Sequence, residues 1–209
     1  MAQTGARHAT LGHGHPETPT REWFRMPMGA VAKRWTLDEL HSLPDDGNKY
    51  EVVRGELFVT PAPTPTHETL CARLHRILDR YVDHAGLGMV YPPRAVLQFE
   101  DSEVEPDLMV RQEHIGDSSS WASAPVPSLI VEVFSPSTRR RDASQKRDLY
   151  MDAGVGEYWM VDPDRRAIVV IRRGEEHVVV VNEMSWQPAG ATAALVFPVA
   201  RVFDGQPLL

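Results

Sequence analysis

The 209-residue sequence has a single cysteine, Cys71. That excludes an internal disulfide and fits a reducing compartment. No stretch approaches the about 20 consecutive apolar residues of a membrane span. The opening residues, MAQTGARHATLGHGHPETPT, lack the apolar core of a secretory signal. A cytoplasmic protein without membrane association is therefore expected. An excess of positive charge is also missing. The net charge of −7 argues against a protein that coats nucleic acid through its overall field. It leaves room for an enzyme that gathers basic residues at one cleft, because acids that hold a divalent cation themselves lower the net charge. The phosphate-cradling glycine loop, the CxxC pair, the HExxH helix and the GxSxG elbow are all absent. Cys71 falls within a helical pattern with no electropositive setting, which argues against thiol catalysis.

What is present divides into a leader and one domain. Residues 1–30 hold Gly, Pro, Thr and His with little apolar periodicity and read as a disordered leader, in which His8, His13 and His15 bind metal at most adventitiously. Residues 31–209 read as a single domain of comfortable size. A short helix is expected in WTLDELHSLPDDG, with Thr36 as N-cap, Glu39 at the capping-box offset and Pro44 as the stop. YEVVRGELFVTPAP reads as two strands bent at Gly55. Leu70, Leu74, Ile77, Leu78 and Tyr81 then form one apolar stripe of a helix, with Thr64 and Pro65 at its start and Gly86 and Gly88 at its end.

From residue 88 the period becomes two. GMVYP, RAVLQFE and VEPDLMV read as strands, and the nearly unbroken apolar run SLIVEVFS as a central strand covered on both faces. A helix over residues 142–153 follows, then the strand EYWMVD, a turn at Pro163-Asp164, and the strands AIVVIRR and HVVVV. The expected class is α/β, a mixed layer in the order helix, three strands, helix, strand, with extra strands at both ends.

Three residues break this pattern. Glu132 stands inside Leu129-Ile130-Val131-Glu132-Val133-Phe134, where an ionised carboxylate costs several kcal/mol unless paired. It is either a strand-end glutamate satisfied by a neighbouring loop or part of a charged site. Asp107 alternates to the face opposite Val104, Leu108 and Val110, and Pro106 places it near a strand start. If its strand lies beside that of Glu132, the two carboxylates converge on one hard cation. Lys146 completes the apolar helical stripe of Leu149, Tyr150 and Ala153. It snorkels to the rim, pairs at the surface with Asp142, or meets buried negative charge. Two acids and a lysine on successive strand, strand and helix suit phosphodiester hydrolysis by metal-activated water. The basic run Arg139-Arg140-Arg141 with Arg147 flanks them, as a grip on the nucleic-acid backbone or as a solvated helix entry.

YEVVRGELFVTPAPTPTHE, EPDLMV and VEVFSPSTRRRDASQKRDLYMDAGVGEYWMVDP resemble the Uma-type family of restriction endonucleases in the PD-(D/E)XK superfamily, over residues 35–205. The resemblance implies a restriction-endonuclease-like core with a mixed central sheet and a metal-dependent nuclease site. Pro106-Asp107 matches the family's PD and Glu132 its second acid. Phe134 occupies the position of the usual lysine, and the resemblance implies a migrated lysine, Lys146. Gly156 stands where members often carry proline. Glu51, Glu56 and His67 fall at recurring positions, Glu56 or His67 as an auxiliary ligand or orienting group, or else as turn and helix-start residues. Tyr158 and Trp159 are expected in the core. The expected function is a divalent-metal-dependent endonuclease acting on DNA through Asp107, Glu132 and Lys146. Asp107 and Glu132 are the expected metal ligands, for Mg²⁺ or in its place Mn²⁺. A homodimer would suit cleavage of both strands, although no dimer signal is present. The alternative is a non-catalytic nucleic-acid-binding or protein-interaction module on the same fold.

Overall fold

The computed structural model describes residues 33–112, 120–135 and 138–204. The leader expected over residues 1–30 lies outside them. The first helix, α1 (Leu37–His41), carries the capping box read from its sequence: Thr36 accepts from Glu39 N–H, and the Glu39 side chain accepts from Thr36 N–H. A hairpin of β1 (Lys49–Val53) and β2 (Glu56–Thr60) follows. Its two-residue turn places both Arg54 and Gly55 at positive φ, the geometry that matches the twist of the flanking strands.

Thr64 caps α2 (Pro65–His84), with proline in its first turn. The apolar stripe is buried as expected along Leu70, Leu74, Ile77 and Leu78, and Tyr81 is half-buried. Three short strands come next: β3 (Met89–Tyr91), β4 (Leu97–Phe99) and β5 (Ser102–Val104). They lead to β6 (Leu108–Arg111) and β7 (Leu129–Val133). One helical rod follows in three parts: α3 (Arg139–Arg141), a π-helical segment Asp142–Lys146, and α4 (Arg147–Asp152). The helix thus begins three residues before the start read from its sequence. The chain continues with β8 (Glu157–Asp162), β9 (Ala167–Ile171), β10 (Val178–Val180), β11 (Glu183–Trp186), β12 (Leu195–Pro198) and α5 (Ala200–Asp204).

The main sheet has the order β10-β9-β8-β7-β6-β3, and only β7 and β8 in it are parallel. A second sheet, β2-β1-β5-β4, is antiparallel. The segment VEPDLMV, read from sequence as one strand, is therefore divided. Val104 ends β5 in the small sheet and Leu108 begins β6 in the large one, with Glu105-Pro106-Asp107 crossing between them. Proline cannot donate to a ladder, so the chain changes sheets there.

Alternation along β6, β7 and β8 makes two cores. Leu108, Val110, Leu129, Val131, Trp159 and Val161 face α2. Met109, Ile130, Tyr158 and Met160 face α4 and the small sheet. Gly156 enters β8 so close to the neighbouring strand that a Cβ would stand 2.7 Å from the Ser128 carbonyl.

Candidate active site

Two adjacent strands bring the two acids together. β6 and β7 pair Leu108 with Val131 and Val110 with Leu129. One step further in that register, Asp107 stands opposite Glu132, and both share the face that carries Met109 and Ile130. Asp107 Oδ2 accepts from Val133 N–H at 2.8 Å and meets His67 Nε2 at 3.0 Å. The carboxylate thus serves a strand amide in place of a main-chain acceptor and orients itself in doing so.

Glu132 is buried; its Oε1 accepts from Tyr150 O–H at 2.6 Å and forms an ion pair with Lys146 Nζ at 2.5 Å. Lys146 also donates to Glu51 Oε1 at 2.8 Å and has no exposed surface. The rod that carries it widens into a π turn over Asp142–Lys146, a distortion that often accompanies functional sites. After Lys146 the rod is α-helical, and the stripe of Lys146, Leu149, Tyr150 and Ala153 faces inward as read from sequence. Of the alternatives for Lys146, it is the meeting with buried negative charge that occurs; Asp142, too, is buried, not at the surface.

Glu51 is the site's second buried glutamate, on β1. Its Oε1 also accepts from Glu105 N–H at 3.0 Å, and Arg141 lies 3.2 Å from its Oε2 without the alignment of a hydrogen bond. The two glutamates are shifted in opposite directions. Burial pushes both carboxyls up. At Glu51 the cations Lys146, Lys49 and Arg141 outweigh burial and hold it at about 2. At Glu132 burial prevails over Lys146, the neighbouring acids Asp107 and Asp142 push the same way, and the carboxyl stands at about 7. Lys146 loses affinity for its proton through burial but gains more from Glu132 and Glu51, so it stays cationic. Asp107 is held below the usual range: the His67 hydrogen bond, the charge of Lys49 and the Val133 amide overcome its burial.

Asp107, Glu132, His67 and Lys49 line a cleft of about 480 Å³, with Arg139, Arg141, Phe134 and Asp142 among the other walls. Lys146 is not on that surface; it reaches Glu132 from behind. Phe134, at the usual lysine position, lies under the Arg139 guanidinium, 4.8 Å from ring centre to Cζ. The basic run is largely engaged by acids. Arg139 forms two bonds to Asp162, at 2.6 and 3.0 Å, and one to Asp164, Arg141 faces Glu51 and Asp142, and Arg147 pairs with Asp148 away from the cleft. Of the two auxiliary candidates, His67 stands on Asp107, whereas Glu56 lies outside the cleft lining and accepts from Gln145 at 2.7 Å. Tyr158 and Trp159 are fully buried in the core.

The donor set suits a hard cation. Oδ2 of Asp107 and Oε1 of Glu132 are taken by protein donors, while among the described residues the other oxygen of each has no hydrogen bond. That leaves two carboxylate oxygens at the cleft, the ligands Mg²⁺ and Mn²⁺ prefer. A softer group, His67, Cys71 and Asp107, also has its ligand atoms within 4.8 Å of one another. Burial pushes the Cys71 thiol well up, which disfavours the thiolate a soft cation needs.

With this geometry in place, the family follows from comparison. The model of the Uma2 family, described as "Putative restriction endonuclease", matches residues 37–200. The chain belongs to this family. A solved structure described as "a putative nuclease belonging to DUF820", from Anabaena variabilis, is similar to it with a TM-score of 0.70 and 19% identity, over 81% of this chain and 98% of that one. At that identity the likeness bears on the fold, which is restriction-endonuclease-like. No curated protein matches the chain. Among the described residues of this Uma2 member, no helix is long and apolar enough to cross a membrane.

Sequence reasoning missed two residues of the site. Lys49 drew no notice, and Glu51 was noted only for its position. Both carry a readable signal: the period of two in KYEVV sets Lys49 and Glu51 on the same face as Val53, which is core.

Proposed function

We propose that this chain is a divalent-metal-dependent endonuclease that hydrolyses phosphodiester bonds of DNA, with Asp107 and Glu132 as catalytic acids and cation ligands. Mg²⁺ is the proposed cation and Mn²⁺ its substitute. Bound there, the cation would polarise the phosphate and lower the pKa of water.

The chain's own groups do the rest. Val133 N–H and His67 fix Asp107, and Tyr150 with Lys146 fixes Glu132, so neither carboxylate must be ordered when substrate arrives. Lys146 acts through Glu132, favouring its ionised form against the pull of burial. Water adds to phosphorus and releases a proton to solvent, the bond from phosphorus to the leaving sugar oxygen breaks, and that oxygen takes up a proton from solvent in the open cleft. The observation that carries this reading is the pair of carboxylates on neighbouring strands, each with one oxygen secured and one at the cleft.

The test is cleavage of supercoiled plasmid and single-stranded DNA by the full chain with Mg²⁺, Mn²⁺ or EDTA, beside Glu132→Ala. Metal-dependent nicking that disappears in the variant is the expected result. Equal nicking by both proteins would remove Glu132 from the chemistry. No cleavage with any cation, together with DNA binding that persists in EDTA, would favour a non-catalytic binding module.

A further inference from the structure

The cations around the acids differ in what they touch. Lys146 is enclosed, donates to Glu51 and forms an ion pair with Glu132. Arg141 is buried between Glu51 and Asp142 and donates to Thr60 at 3.1 Å. Arg139 is chelated by Asp162 and Asp164. Arg94 stands at the rim, 65% exposed.

Lys49 is placed differently. Among the described residues, its one hydrogen bond goes to a neutral group, the Glu105 carbonyl, at 3.0 Å. Glu51 Oε1 and Asp107 Oδ1 both lie 3.9 Å from its Nζ, close enough for charge attraction and too far for hydrogen bonds. Its side chain is 21% exposed and lines the cleft. An ammonium has three N–H donors, and one is taken by the carbonyl. The others remain for a group that enters beside Asp107.

We propose that Lys49 is a catalytic residue whose ammonium binds a non-bridging oxygen of the phosphodiester being cut, with Lys146 confined to positioning Glu132. The inference rests on the nuclease reading and refines which lysine meets the substrate. Three acids near one point repel a phosphodiester, and the cations enclosed among them are already neutralised by those acids. A donor in the cleft lining, outside any short ion pair, offsets this repulsion. It also meets the charge that grows on the phosphoryl oxygens in the transition state. β1 makes the division of labour geometric, because Lys49 and Glu51 share one face, the first lining the cleft and the second buried outside its lining.

Two measurements on the full chain test this. The first compares wild type, Lys49→Ala and Lys49→Arg in plasmid cleavage, with Mn²⁺ affinity and melting temperature recorded for each. Loss of one preorganised donor predicts a kcat lower by about 100-fold or more in Lys49→Ala, with KM little changed. Lys49→Arg recovers part of it, and Mn²⁺ binds all three at least as well as wild type. A structural role alone would instead lower the melting temperature and spare kcat.

The second measurement acetylates exposed lysines with a succinimidyl ester, with and without a phosphorothioate duplex oligonucleotide, and reads each site by mass spectrometry. Lys49 is expected to be labelled in the free protein and shielded several-fold by the oligonucleotide, with Lys146 unlabelled throughout. If wild type cuts DNA and Lys49→Ala keeps its kcat, the inference falls and the nuclease reading stands. If wild type cuts nothing, the nuclease reading falls, and labelling decides the contact. A Lys49 that the oligonucleotide leaves unshielded overturns it; a shielded one supports it.

Discussion

The two faces of the six-stranded sheet are both buried, by different means. Toward α2 the contacts are aliphatic and aromatic, built from Leu74, Leu78, Leu108, Val131 and Trp159. Toward the π-containing rod the sheet sets Tyr158 against Tyr150 and then enters a buried ionic cluster of Glu132, Lys146, Glu51 and Arg141. Apolar burial is non-directional, so each side chain on the first face contributes roughly in proportion to its area. Buried charge tolerates no partial arrangement, because each member is stable only while its partners are present. The first face therefore supplies stability and the second supplies poised groups at a cleft, at the risk of large losses when one member is removed.

The sharpest way to break this comparison is Lys146→Met. It leaves Glu51 and Glu132 without their shared cation and is expected to destabilise by about 3–5 kcal/mol in denaturant unfolding. A loss below about 1 kcal/mol would mean that the cluster relaxes freely, like a surface network. On the opposite face, Leu74→Ala removes a fully buried side chain and is expected to cost about 2–5 kcal/mol, while cation binding at the cleft is unchanged. Weaker Mn²⁺ binding in that variant would show that the two faces are not independent.

Glu132→Gln sharpens the contrast through pH. The carboxyl moves from an ordinary value of 4.5 to about 7 in the folded chain. The folded state therefore binds a proton more tightly than the unfolded one between these values. Its contribution is complete below the lower value and is lost as pH rises through the upper one. Metal-free wild type should lose stability relative to Glu132→Gln across that interval, and parallel curves would refute the shift. The smallest effect is expected at Asp162, which the hydrogen bonds from Arg139 hold below the usual range. Its contribution is present above the ordinary carboxylate value and is lost as pH falls through the lowered one. Asp162→Asn should flatten only that acid limb of the unfolding curve.

The site was legible to different depths. Glu132 stood out because a charge in an apolar run needs a reason, and Lys146 because the α-helical part of its rod preserves simple spacing. The second partner of Lys146 was not legible, since Glu51 lies 95 residues before it and on the sheet that does not hold Glu132. The place where the chain changes sheets at Glu105-Pro106-Asp107 was hidden for a related reason. Alternation reads the same on both sides of a crossing, and only strand pairing tells which sheet each half joins.

Local order is a property of neighbouring residues, so the sequence by itself determined the capping box, the α2 stripe, the central strand and the two acids out of place. The opposite shifts of Glu132 and Glu51, the enclosure of Lys146 and the open position of Lys49 were decided only by the tertiary structure. Each depends on how many charges from distant segments crowd one point, and on how much water is left there to screen them.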